Sequence, residues 1–574
     1  MESGPDIPHE LSAAPAPAPR AGAADPALLA AHLRRHVPEG GGAGLGLAAS
    51  LLVSRHVRFD SADPFWADRD RILSAPELAP LGQAIGRLAG SAGLVGVASQ
   101  ALGCGVGLAL AERLLAGRFG RSLVDHRVWV LCAGADLATG AAQEAAWLAG
   151  AWRLGRLAVI VEDAPRGTPG LSGFAASGWT IRHTNGASAA EITAALSAAL
   201  RSVKPTLVAC AGTPPAAGTD DRTEPWLATG GRLAGIRRSW IKRLARHGSR
   251  ADFDGAVAGR LPLRWHAPLS EPGSLEGTGG VKLSTAQCIR AALPGLTATM
   301  GSLSLLPGDA AWPPPAGQAD PPQATAGTAR RLALGMGAVL CGVAWHGGIV
   351  PVCVQPDGAA DSLLPGLRDA AASGARLVVV MVEGAAADAA AALHAVANLA
   401  IFRPADPTEA LECLELAVRR TGGPSVLLVS HRAVPLLAER PSRTHASRGG
   451  YLAWEPEGSR AATLLASGPE LHAALLARAR LAAADIAVAV VSLPCAFLFA
   501  QQEAAWRDTI LGGAPCIALA GGGGGAAGGD GLGWDRWLGR DGLVIGESDP
   551  HAVAERVARH LRGRGSVWTG ASGS

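Results

Sequence analysis

Residues 128–161 read VWVLCAGADLATGAAQEAAWLAGAWRLGRLAVIV, and this stretch decides the fold class. It opens on an apolar run, Val128 to Cys132, and closes on another, Leu157 to Val161. Short runs rich in Val and Ile without polar alternation suit strands covered on both faces. Between them lies the Ala- and Leu-rich segment Ala141 to Arg153, whose composition favours a helix packed on those strands. Strand, helix and strand in this order form the crossover unit of a parallel sheet.

The same alternation extends in both directions. Further strands are expected at Thr206 to Cys210, Leu377 to Val382, Ser425 to Ser430 and Ala487 to Ser492, and further helices at Ala189 to Arg201, Pro407 to Arg420 and Glu470 to Ala483. Pro/Gly-rich breaks at Leu269 to Gly280 and Pro435 to Gly450 divide the chain. At 574 residues it is too long for one core. The expected class is α/β, three consecutive domains with mainly parallel sheets. The expected boundaries are a disordered tail at 1–25, a first domain at 26–245, a linker at 246–275, and further domains at 276–435 and 446–574.

Composition narrows the function. Hydrophobic residues make up 48% and charged residues 17%, which is ample for globular cores. A net charge of +3 provides no basic footprint for nucleic acid, and the cluster Arg237, Arg238, Lys242, Arg243 and Arg246 reads as a solvated helix face. The nine cysteines sit singly in apolar stretches, as buried reduced thiols of a cytoplasmic protein would. Glu2, Asp6 and Glu10 lie among Pro and Ala where a signal peptide would place basic and apolar residues. Leu332 to Val354 carries no Asp, Glu, Lys or Arg and is about long enough to span a bilayer. Its Gly342, His346, Gly347, Gly348 and Pro351 favour a buried helix, a turn and a core strand instead.

Five segments together resemble the transketolase family. Phe59-Asp60 with Asp68-Arg69-Asp70-Arg71-Ile72-Leu73-Ser74 is similar to the family's FD…DRDRFVLS, and Gln100 to Glu112 (QALGCGVGLALAE) to its QGIANAVGMAIAE. Gly140 to Leu157 resembles GISHEVCSLAGTLKLGKL, Gly335 to Gly348 (GMGAVLCGVAWHGG) resembles GMGAIMNGIALHGG, and Arg448 to Tyr451 is RGGY. The resemblance implies the thiamine-diphosphate-binding fold, with a pyrophosphate-type domain, a pyrimidine-type domain and a transketolase C-terminal domain in that order.

The resemblance also assigns chemistry, and most of the assigned positions hold the wrong residues. The family holds its cofactor's pyrophosphate through a divalent metal on an Asp and an Asn, hard oxygen ligands suited to magnesium or calcium. Those positions are Gly134 and Ala164, and a nearby family Glu is Thr139. Asp136, Glu162 and Asp163 are the nearest substitutes, with Asp136 two residues out of register. The Glu that activates the aminopyrimidine from the neighbouring subunit is Ala333, and the aromatic wall falls on Pro356, Ala359 and Ser362, so ring stacking is lost. Family histidines for the sugar fall on Glu77, Asp220 and Thr223 and near Pro38. The sugar-phosphate Arg is His431, beside Arg432.

Gly96 and Gln100 keep two vestigial cofactor-binding positions, and His346 reads as a satisfied core histidine. Gly521 to Gly525 lacks the helix start and the Lys or Ser/Thr of a phosphate loop. Two functions follow as expectations. One is a catalytically inactive transketolase-like subunit, structural or regulatory, with no cofactor. The other is an active enzyme transferring ketol groups with a rearranged site, using thiamine diphosphate and magnesium. As partner the resemblance implies a second copy or an intact transketolase, and the helices at Gln100 to Leu115 and Gly335 to Trp345 are expected beside the dimer contact.

Overall fold

The computed structural model describes residues 30, 33, 37, 42–89, 94–212, 227–266, 269, 283–306, 333–355, 360–383, 392–435, 445–520 and 533–568. Within them the chain forms three sheets. The first comprises β1 (Arg71–Ser74), β2 (Val95–Val97), β3 (Val128–Ala133), β4 (Leu157–Glu162), β5 (Thr180–Asn185) and β6 (Thr206–Ala211). Their order is β2-β1-β3-β4-β6-β5, all parallel. The central pair β3 and β4 is buried on both faces along almost its whole length, as its uninterrupted apolar sequence requires. The edge strand β5 leaves half its residues exposed and carries Arg182, His183 and Asn185.

The second sheet runs β10-β11-β9-β8-β7, using β7 (Leu303–Leu306), β8 (Val350–Gln355), β9 (Val378–Val382), β10 (Ala400–Phe402) and β11 (Ser425–Val429), again all parallel. The third runs β12-β14-β13-β15-β16, using β12 (Tyr451–Trp454), β13 (Ala462–Ala466), β14 (Val488–Ser492), β15 (Cys516–Leu519) and β16 (Leu543–Ile545). Only β12 among these is antiparallel, pairing with β14 at the sheet edge. The stretch resembling a membrane span is the helix Ala333–His346 followed by β8, and no helix among the described residues is long and apolar enough to cross a membrane.

The first two sheets join through helices Ala101–Phe119 and Ala333–His346. Within one chain these two helices bury against each other. Fifteen of the nineteen residues of the first are buried, and Cys104, Val106, Ala338, Val339 and Cys341 share one hydrophobic core with β3 and β9. Glycine permits that closeness: a Cβ on Gly107 would stand 2.1 Å from the Val339 carbonyl oxygen, and one on Gly342 would stand 2.0 Å from that of Cys104. His126 and His346 close the seam at one end with an Nε2 to Nε2 hydrogen bond of 2.9 Å. The third sheet is clasped to the second by buried charge. Arg403 pairs with Glu383 and Glu470, and buried Glu409 accepts from Tyr451 at 2.9 Å and Ser492 at 3.0 Å. All nine cysteines are buried and free.

Candidate active-site crevice

Parallel α/β sheets bind ligands outside the carboxyl ends of their strands, where the order reverses. In the first sheet that point lies between β1 and β3, because the chain leaves β1 for β2 on one side and returns to β3 on the other. The residues there are Ser74 to Leu78, Ala133 to Ala138 and the loop after Glu162. This is where Glu77, Gly134 and Ala164 come together, far apart in sequence yet adjacent in register: Ala75 donates to the Leu131 carbonyl, and Ala133 pairs with Glu162.

The crevice is narrow at its floor. A Cβ on Gly134 would lie 2.8 Å from the Asp163 carbonyl oxygen and 3.4 Å from that of Glu162. Asp163 itself has φ of 47°, a left-handed conformation uncommon outside glycine. Ala164 is fully buried, with its N–H donated to the Cys210 carbonyl. Gln143 ties the two walls together by donating to the carbonyls of Leu137 and, at 3.1 Å, Gly170. Thr139 serves as the N-cap of helix Gly140–Ala151, accepting from the Ala142 N–H at 3.2 Å.

The carboxylates are engaged elsewhere. Asp136 accepts from the Ala133 N–H at 2.8 Å, closing its own turn. Glu162 accepts from the Gly44 N–H at 2.7 Å, at the start of the short helical segment Ala43–Leu45. Burial raises both above the ordinary carboxylate range, with Glu77 adding to Asp136 and Asp163 adding to Glu162. The crevice therefore carries like charges that oppose one another, and no group of three His, Cys, Asp or Glu able to hold a metal ion occurs among the described residues.

The remaining sequence-predicted positions scatter. Ala333 begins the helix Ala333–His346, Ser362 lies half-buried in helix Ala360–Ser373, and His431 and Arg432 are exposed after β11. Pro38, Asp220, Thr223, Pro356, Ala359 and Gly521 to Gly525 lie outside the described residues. Gly96 sits in edge strand β2, where a Cβ would meet Leu73 at 2.9 Å. Gln100 precedes helix Ala101–Phe119, and its Oε1 is buried without a hydrogen-bond partner among the described residues. His346 is satisfied, as expected, by His126 and by the Gly347 carbonyl at 2.8 Å.

Two participants escape sequence reasoning. Glu144 accepts from the Gly335 N–H at 2.9 Å, so a carboxylate of the first domain caps the helix that begins at Ala333. The partners are 191 residues apart, and nothing local announces the contact. His126 pairs with His346 across a separation of 220 residues, and burial pushes its imidazole down to about 3.

Residues 84–222 match the description of a transketolase thiamine diphosphate binding domain, and residues 449–551 match a transketolase-like C-terminal domain. Transketolase of Cereibacter sphaeroides is 32% identical over 87% of this chain and 90% of its own length. This chain belongs to the transketolase family. Transketolase of Sinorhizobium medicae is 29% identical over 88% of this chain and 85% of its own length. The solved transketolase of Leishmania mexicana superposes with a TM-score of 0.78 at 21% identity, covering 94% of this chain and 97% of its own, and supports the fold. Across the family fold, the floor of the first-sheet crevice in this member offers a glycine and an alanine where the resemblance assigns metal ligands.

Proposed function

We propose that this chain is a transketolase-family protein that has lost ketol transfer and serves as a structural or regulatory subunit. The observation that carries the proposal is Gly134. It offers no side-chain oxygen to a metal, and with its Cβ position 2.8 Å from the Asp163 carbonyl oxygen, a side chain there requires the loop to shift. Buried Ala164 supplies a methyl group opposite it. Glu77, Asp136, Glu162 and Asp163 would repel a pyrophosphate lacking its cation. The residues present do not fit a magnesium-held thiamine diphosphate.

The subunit is proposed to be cytoplasmic and to pair with itself or with an intact transketolase, without nucleic-acid or membrane partners. Domains at 26–245, 276–435 and 446–574 belong to the same proposal, each enclosing one of the three sheets. A second reading, active ketol transfer with a rearranged site, draws support from the buried Gln100 Oε1 left without a partner and from relatives that bear the name transketolase.

Two measurements separate the readings. Calorimetry is expected to find no magnesium-dependent binding of thiamine diphosphate. An affinity in the low micromolar range, about −8 kcal/mol, would favour the second reading. Incubation with xylulose 5-phosphate and ribose 5-phosphate is expected to yield no sedoheptulose 7-phosphate, and robust product from the wild-type chain overturns the proposal.

A further inference from the structure

A cavity of about 250 Å³ opens beside helix Ala101–Phe119, lined chiefly by Glu112, Arg113, Arg121, Arg153 and Arg156. It lies at the far end of the first sheet from the crevice. Arg156 immediately precedes β4 and Asp125 stands three residues before β3, so both mark the amino ends of the strands. Six-residue strands rising roughly 3.3 Å per residue put about 17 Å between the two places.

The charges here do not balance. Buried Glu112 is paired with Arg121, and Asp125 is paired with Arg156 and lies 3.6 Å from Arg121. Arg113 donates to the neutral Trp152 carbonyl, and Arg153 has no carboxylate partner among the described residues. Four guanidinium groups thus face two carboxylates. Burial also pushes Glu112 up to about 7, against the pull of Arg121 and Arg156, which reduces the opposing negative charge near neutrality.

Arg153 is also held in place. Its φ is 49°, and bonds from its N–H to the Gly150 carbonyl at 3.0 Å and from the Gly155 N–H to its own carbonyl at 2.8 Å fix the turn. Trp152 and Leu154 on either side are buried, and Gly155 packs so closely on Val203 that a Cβ there would stand 2.7 Å from its backbone. Arg153 is the C′ position of a helix cap, since the Leu154 N–H also donates to the Ala149 carbonyl at 3.0 Å. The turn fixes the backbone from which the exposed Arg153 side chain reaches the cavity lining.

We propose that this cavity is a second binding site, for a small phosphate ester whose dianionic phosphate is taken by Arg113 and Arg153. The guanidinium fork matches phosphate oxygens, and two unbalanced cations match the charge. Pockets for drug-sized ligands run to roughly 300–1,000 Å³, so this smaller one suits a phosphate bearing a few carbons. The site does not depend on the crevice being intact or lost.

The test uses the full chain at low ionic strength without magnesium, with inorganic pyrophosphate and inorganic phosphate as probes in calorimetry. Saturable binding at one site per chain is expected, weakened about tenfold or more in the Arg113→Ala/Arg153→Ala variant and less in Arg153→Lys. Glu77→Gln, in the crevice, is expected to leave it unchanged. Phenylglyoxal labelling of the wild-type chain, mapped by mass spectrometry, gives a readout that needs no variant: pyrophosphate should protect Arg113 and Arg153. Absence of binding, equal binding by the double variant, or binding without protection of these arginines overturns the proposal. Magnesium-dependent thiamine diphosphate binding that persists in the double variant would count against the proposed loss of the crevice and leave this site untouched.

Discussion

The seam between helices Ala101–Phe119 and Ala333–His346 and the floor of the first-sheet crevice are both built on glycines with no space for a side chain. At the seam, Gly107 and Gly342 let two helix backbones touch, and their neighbours Val106, Val339 and Cys341 gain a continuous core. At the crevice, Gly134 lets the loop after Glu162 lie against the turn Gly134–Ala138, at a place where ligands bind in open α/β sheets. The same residue type thus lets two helices touch in one region and two loops touch in the other.

The comparison breaks most easily at the seam. Gly342→Ala combined with Gly107→Ala drives methyl groups into carbonyl oxygens on both helices, and overpacking of this kind costs about 3 kcal/mol or more where backbone cannot yield. Urea denaturation should show the loss, and an unchanged midpoint would mean that the helices are not in backbone contact. Gly134→Asp comes next. It should cost about 1–3 kcal/mol in the same assay by pushing the loop at Asp163 outward, without creating magnesium-dependent thiamine diphosphate binding. Acquisition of binding would show that the crevice differs from the seam only by one missing oxygen.

The histidine pair tests the seam through pH. Burial pushes His126 down to about 3 from an ordinary 6.5 and lowers His346 as well, so the unfolded chain binds more protons between those values. Stability from the pair is complete above about 6.5 and falls as pH drops towards 3. Melting curves between about pH 6.5 and 5, above the ordinary range of exposed carboxylates, should slope more steeply for wild type than for His126→Asn/His346→Asn.

Gly117 provides the contrasting control on the same helix, since nothing lies within 4 Å of its Cβ position. Gly117→Ala should stabilise the chain by about 0.5–1 kcal/mol, the opposite sign from Gly107. The smallest effect is expected from Ala333→Glu, which restores a carboxylate at the position assigned to cofactor activation. On the proposed loss of the metal site, formation of sedoheptulose 7-phosphate should stay at background. Appreciable turnover from this single change would place the defect at Ala333 and away from the crevice floor.

The strands Val128–Ala133 and Leu157–Glu162 and helix Ala189–Arg201 were legible from local pattern, because burial on both faces and helix propensity act over a few neighbouring residues. Weaker strands were not: β2 has three residues and β5 is polar along an edge, so neither carries an apolar run to read. The family was legible too, since its motifs are contiguous. Only tertiary structure decided that the apolar helices Ala101–Phe119 and Ala333–His346 bury each other within one chain, that Glu144 caps the helix at Ala333, and that His126 answers His346. It also decided that Gly134 meets the backbone of Asp163, so that any side chain at position 134 requires that loop to shift. The sequence shows a glycine at position 134, while the space around that position is set by a loop arriving from 29 residues further along.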